Sequence, residues 1–271
     1  MDTGFPNRPE PDTARGPPRV RILFMLATFL GRLLDRYGGT ARTLAGRLTL
    51  AAAAWLAVGL ATSIFVVWAF AELTEGVIEG ESRRFDRAVL LWIGANFPDW
   101  LDGPMRFFTA LGYYWVVLPL LAVVVAVFYL ANWRLSAVVL LVSTAGGMVL
   151  TTVLKAVFRR ARPDLLDSGY TASFYSFPSG HATVAVGFYG ALTLMLAYHL
   201  RGAARWTVVV FGTLVVLLIG FSRLYLGVHY PTDVLAGYLA APLWLVSVGS
   251  LYVLWSSLRG LRTAESRRKG R

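Results

Sequence analysis

Six stretches of the chain carry no Asp, Glu, Lys or Arg: residues 48–71, 107–133, 135–154, 182–200, 206–222 and 234–258. Each is close to the ~20 residues that a helix needs to cross a hydrocarbon core. The pattern predicts an all-α, polytopic membrane protein with six transmembrane helices. The run 88–97, AVLLWIGANF, is about half that length and is read as an interfacial or re-entrant helix within the loop 72–106. An earlier run, ILFMLATFLGRLLDR at 22–36, admits Arg32, Asp35 and Arg36 and is expected to lie along the membrane surface.

Composition agrees with the pattern. Hydrophobic residues make up 56% of the 271 positions and charged residues 15%, with a mean hydropathy of +0.59. Ordinary soluble domains carry about 25% charged residues, so a large soluble core is excluded. The net charge of +11 would suggest nucleic acid if it were spread over a domain. Instead the basic residues collect between Arg8 and Arg47 and between Arg259 and Arg271, where they suit anionic lipid headgroups. No zinc spacing, basic recognition helix or basic and aromatic interleaving accompanies them, so no nucleic-acid partner is expected. The absence of cysteine excludes disulfides and thiolate chemistry.

Three regions follow. Residues 1–47 read as a basic tail, Pro- and Gly-rich and disordered over 1–19, without the features of a signal peptide. Residues 48–258 form the membrane domain, and 259–271 a second basic tail. An even number of spans puts both termini on one side, which holds 17 of the 26 Lys and Arg. The positive-inside rule makes that side cytoplasmic. The Arg-rich, Lys-poor usage points to a bacterial inner membrane.

The opposite, extracytoplasmic face holds the unusual chemistry. KAVFRRARP runs from Lys155 to Pro163, PSGH from Pro178 to His181, and SRLYLGVHYPTD from Ser222 to Asp233. The ends of spans three to six bring these segments to one membrane level. Lys155, Arg162 and Arg223 suit a dianion, because guanidinium forks match phosphate oxygens. Ser179 and Gly180 read as a helix start whose free N–H groups and missing Cβ let an anion approach closely. His181 and His229 supply the two roles of group transfer, a nucleophile or base and an acid for the leaving oxygen. Asp233, four residues beyond His229, is placed to take the Nδ1 proton and leave Nε2 free. Each piece has a plainer reading: Lys155 as a snorkelling anchor, Pro178–Gly180 as a turn, Pro231 and Asp233 as the opening of a helix. His199, on the cytoplasmic side, is assigned no role.

Taken together and in order, K-x6-RP, PSGH and SR-x5-H-x3-D resemble the three signatures of the type 2 phosphatidic acid phosphatase superfamily, which also includes vanadium haloperoxidases. The spacings fit without a gap from Lys155 to Asp233. The resemblance implies that His229 attacks phosphorus to form a phosphohistidine, that Asp233 orients it, and that His181 protonates the leaving group and then activates water. It implies that Lys155, Arg162, Ser179, Gly180 and Arg223 hold the phosphate oxygens. No clustered carboxylates suggest a magnesium site, so neither metal nor cofactor is expected. A lipid headgroup is the natural substrate of a site at the interface: phosphatidic acid, phosphatidylglycerol phosphate or undecaprenyl diphosphate. The loop 72–106 is expected to select among them, as a lid or as an element that guides the lipid tail. The alternatives are a phosphotransferase or sugar-phosphate phosphatase on the same scaffold, and a catalytically silent membrane scaffold; membrane embedding argues against haloperoxidase activity.

Overall fold

The computed structural model of the protein describes Thr28, residues 50–166 and 168–242, Trp244 and Val246. The described residues from Trp55 onward gather into one compact unit; of the other, Met1–Ala54, only Thr28 and the helical residues 50–54 are described. Regular structure among the described residues is entirely helical. The helices are α1 (Leu50–Ile78), α2 (Arg83–Asn96), α3 (Asp102–Leu111), α4 (Tyr114–Leu130), α5 (Arg134–Phe158), α6 (Gly180–His199), α7 (Gly202–Tyr225) and α8, which runs over 231–242. Helices close their own backbone hydrogen bonds, as hydrocarbon requires.

Four of them are long and apolar enough to cross a membrane: Ala57–Ile78 of α1, α5, α6 and α7. The expected span 107–133 is not one straight helix. It breaks at Gly112 and Tyr113, and the α4 segment turns 55° from Asp99–Leu111. Counted as one bent span, this pair makes a fifth. Tyr113 takes an extended conformation, and the Leu111 carbonyl at the end of α3 accepts the Tyr189 hydroxyl of α6 at 2.9 Å. At the break the Gly112 and Tyr113 N–H groups turn back to the Thr109 and Ala110 carbonyls. The short helix expected at 88–97 is present as the second half of α2. Most of the expected span 234–258 lies outside the described residues, as do the 259–271 tail and, apart from Thr28, the 1–47 tail.

In lipid there is little hydrophobic force between helices, so close packing and interhelical hydrogen bonds take its place. Val117, Leu121 and Phe128 of α4 meet Ala137 and Leu140 of α5 and Val184, Phe188 and Ala191 of α6. Residues 185–190 of α6 form a π-helical turn, and Ser143 and Thr144 of α5 both donate to the Gly187 carbonyl within it. Trp244 donates its indole N–H to the Val142 carbonyl at 2.8 Å, lying where a Cβ on Gly146 would be 2.0 Å from the ring. By contrast, only 6% of the most apolar window of α1 is buried, so that helix faces lipid nearly all round.

Short links, 131–133 and 200–201, reverse α4 into α5 and α6 into α7. Helix α6 runs back along α5, with Gly180 beside Thr151 and Lys155 and Gly187 beside Ser143 and Thr144, so α4 to α7 alternate in direction. The starts of α4, α6 and α8 and the ends of α5 and α7 therefore meet at one end of the bundle. All three sequence motifs lie there.

Candidate active site

After α7 the chain turns through Leu226 and Gly227, and His229 enters the protein with 2% of its surface exposed. Pro231 is the first residue of α8, where a missing N–H costs nothing. Asp233, fully buried, reaches back to accept the Tyr230 N–H at 2.9 Å, as the third residue of a helix does in a capping box. The same carboxylate oxygen stands 3.3 Å from His229 Nδ1. Arg162 Nη1 is 3.2 Å from His229 Nε2. Guanidinium only donates, so Nε2 accepts and Nδ1 carries the proton toward Asp233. Burial, reinforced by the charges of Arg223, Lys155 and Arg162, holds the imidazole well below the ordinary histidine range. His229 is thus neutral at neutral pH with its Nε2 lone pair pointing at the cations.

Arg162 and Lys155 are held by main-chain carbonyls and Arg223 by side-chain hydroxyls. Arg162 donates to the carbonyls of Val228, Phe174 and Ser173, each at 2.8 Å. Lys155, on the last turn of α5, donates to the carbonyls of Tyr175 at 2.5 Å and Ser176 at 3.3 Å. Arg223, 2% exposed, donates through Nη1 to Thr109 and, at 3.3 Å, to the Tyr170 hydroxyl, which itself bonds Tyr113. Ser179 is the N-cap of α6, yet its hydroxyl makes no capping bond. Gly180 follows it without a Cβ to block approach to the helix end. His181 packs against the edge of Tyr113, ring centroids 4.9 Å apart, and a Cβ on Gly112 would lie 2.5 Å from its Cδ2.

Lys155, Arg162, Gly180, His181, Arg223 and His229 line one cavity of about 660 Å³, which Ser179 and Asp233 adjoin. Among the described residues, five buried side-chain polar atoms have no hydrogen-bond partner. Four belong to this place: Thr151 Oγ1, Ser179 Oγ, His181 Nε2 and Arg223 Nε. Buried polar groups are nearly always paired, so such a cluster is one that a polar ligand or ordered water would complete. The cavity continues past Thr151 and Met148 of α5 and Val184 of α6 to Trp115 and Leu118 of α4, the last two strongly exposed on the lipid-facing side.

All eight sequence-expected residues therefore come together. Ser222, in the third motif, does not join them; its hydroxyl donates to the Ile219 carbonyl of its own helix at 2.6 Å. His199 lies at the opposite end, stacked on Trp133 at 3.7 Å. The loop 72–106 contributes no residue to the cavity wall. Its helix α2 instead turns Asp86, Leu90 and Ile93 inward, the spacing of one helical face, and Asp86 meets Arg160 at 2.7 Å behind Asp233. Sequence reasoning passed over Thr109, Tyr113, Thr151 and Tyr170, which carry no motif, and over Arg160, which lies inside one. Asp86 had a legible signal, a lone acid on the apolar face of α2.

Known proteins resemble this chain in sequence and fold. The family model described as the PAP2 superfamily matches residues 136–257. Phosphatidylglycerophosphatase B of Bacillus subtilis (strain 168) is 33% identical over 178 residues, 64% of this chain and 84% of that protein. An undecaprenyl-diphosphatase of Sulfolobus acidocaldarius is 32% identical over 144 residues, 51% of this chain and 65% of that one. The crystal structure of a transmembrane PAP2-type phosphatidylglycerolphosphate phosphatase from Bacillus subtilis superposes with a TM-score of 0.65 at 27% identity, covering 70% of this chain and 95% of that one. With the motif residues converging on one cavity and a relative matched over most of its length, the chain belongs to the PAP2 superfamily of membrane phosphatases.

Proposed function

We propose that this protein hydrolyses lipid phosphates at the extracytoplasmic leaflet through a phosphohistidine. His229 Nε2 attacks phosphorus in line, the bond to the leaving oxygen breaks, and the proton on His181 Nε2 passes to that oxygen. His181 then takes a proton from water, whose oxygen displaces His229 and frees inorganic phosphate. Asp233 holds the Nδ1 proton throughout. Lys155, Arg162 and Arg223, with the Ser179 hydroxyl and the backbone at Gly180, hold the three non-bridging oxygens. Phosphoryl transfer depends chiefly on positioning and charge stabilisation, which three fixed cations in a partly dry site supply.

The observation that carries this reading is the clustering of unpartnered atoms on Ser179, His181 and Arg223 around the nucleophilic face of His229. A lipid substrate is supported by the apolar continuation of the cavity: Trp115, Leu118, Met148 and Val184 suit an acyl or prenyl tail, and a free sugar phosphate has no use for them. The extracytoplasmic orientation rests on the distribution of Lys and Arg, and the count of six spans on the charge-free run 234–258. Phosphatidylglycerol phosphate and undecaprenyl diphosphate enter as candidates through the names of the relatives.

The test is phosphate release by the purified, detergent-solubilised protein beside His229→Ala, with EDTA present throughout. Phosphatidic acid, phosphatidylglycerol phosphate and undecaprenyl diphosphate serve as substrates. Release that survives EDTA and vanishes in the variant is the expected result, and relative rates rank the headgroups. Equal release by the variant, or release abolished by EDTA, would overturn the mechanism.

A further inference from the structure

Behind His229 lies a second buried polar set. Arg160 Nη1 donates to Asp233 Oδ1 at 2.6 Å and to Thr232 Oγ1 at 2.8 Å, and its Nη2 donates to Asp86 Oδ2 at 2.7 Å. Asp86 also accepts the Thr232 N–H at 3.1 Å and the Thr232 hydroxyl at 2.8 Å. Both carboxylates are fully buried, and the guanidinium lies 4.3 Å from the Tyr230 ring centre. The division of labour on Asp233 is complete: Oδ1 faces Arg160, and Oδ2 faces His229 Nδ1 and the Tyr230 N–H.

We infer that Arg160 and Asp86 are positioning residues for phosphoryl transfer, Arg160 fixing and charge-balancing the Asp233 carboxylate and Asp86 fixing Arg160. The inference rests on the reading of His229 and Asp233 as the reacting dyad. Without Arg160, Asp86 and Asp233 would be two buried carboxylates facing each other with nothing between them, an arrangement that favours protonation of one. The dyad is also faced by Lys155 of α5, Arg162 of the loop after it, His181 of α6 and Arg223 of α7, all on the substrate side. Arg160 is the cation on the other side. This gives the loop helix α2 a place in catalysis different from a lid. It reaches the nucleophile through two side chains and never touches the cavity.

A strut that merely ties α2 to α8 would have the same contacts, so the test must read charge. Removing the Arg160 cation makes the dyad take up a proton more readily, whichever of its two members holds it. Removing the Asp86 anion does the reverse. The acid limb of kcat/KM should therefore move to higher pH in Arg160→Gln and to lower pH in Asp86→Asn. The substrate's own titration is common to both profiles and drops out.

The experiment measures kcat, KM and the pH profile on phosphatidic acid for wild type, Arg160→Gln, Arg160→Lys, Asp86→Asn and His229→Ala. Each is full length, in detergent, with thermal melting recorded. In Arg160→Gln kcat should fall about 10- to 100-fold with KM little changed, the range typical for groups that orient a reacting ligand. Arg160→Lys should recover part of it. Unshifted profiles with wild-type kcat per folded protein, or shifts of the same sign in both variants, would overturn the inference. If Arg160→Gln does not fold, the near-isosteric Asp86→Asn decides alone: a shift to lower pH supports the inference and an unchanged profile overturns it. If His229→Ala keeps its activity, the dyad reading itself fails and takes this one with it. An inactive His229→Ala beside unshifted Arg160 and Asp86 variants leaves the reading standing without the inference.

Discussion

The two sides of His229 are built from the same kinds of side chain and finished differently. On the substrate side stand Lys155, Arg162 and Arg223, with Ser179 Oγ, His181 Nε2 and Arg223 Nε left without partners. On the far side, Asp233, Arg160, Asp86 and Thr232 bond one another, and none of their side chains is among the buried atoms left without a partner. Unpaired buried groups are costly and fully satisfied networks are rigid. On the proposed reading, the open side carries its cost for the sake of a ligand, and the closed side keeps one imidazole aimed at it. Charge follows the same division, net positive in front, as a dianionic substrate requires, and net negative behind.

Substitutions can break this comparison. Asp233→Asn is the severest test after removal of the nucleophile itself. It cuts the link between the two sides and invites the wrong imidazole tautomer, so turnover should fall about 10³- to 10⁴-fold in protein that still folds, measured by kcat in the phosphate-release assay. Gly112→Ala acts on the open side only. Its Cβ would crowd His181, 2.5 Å from Cδ2, and the acid would shift from its place. We expect kcat to drop about 10²-fold, the loss typical for a mispositioned proton donor, with a lowered melting temperature because the same Cβ would lie 3.1 Å from Cγ2 of the buried Ile219. Ser222→Ala sharpens the comparison at the small end. Although it lies in a motif, its hydroxyl serves only its own helix, so activity should stay within about twofold of wild type. Arg201→Ala, beyond the opposite end of α7, should behave alike; a large loss there would contradict the placement of the site.

The course of α5, α6 and α7 was legible because each is a charge-free run bounded by Arg or a turn, and the described helices overshoot those runs by only a few residues. The break at Gly112 was not legible. The run from Phe107 to Trp133 has no charge to mark it, and what packs at the break comes from α6, as the Tyr189 hydroxyl and the His181 ring. The eight site residues could be read because the family spacing ties them to three short segments. Their supports could not, since Thr109 is 114 residues from Arg223 and Asp86 is 146 from Thr232. Asp86 did carry a local signal, as the one acid on the buried face of α2, but its partners lie too far along the chain for that signal to say what it supports.

One carboxylate in this protein holds two posts. Asp233 closes the first turn of α8 through the Tyr230 amide while it orients the imidazole. A descendant that lost all catalysis would still be under pressure to keep an acid there, because the last helix starts on it. Nothing comparable retains a histidine at 181 or 229, where the side chain serves the cavity alone. When such chains are sorted into active and retired members, the aspartate is therefore a poor witness and the two imidazoles are the informative ones.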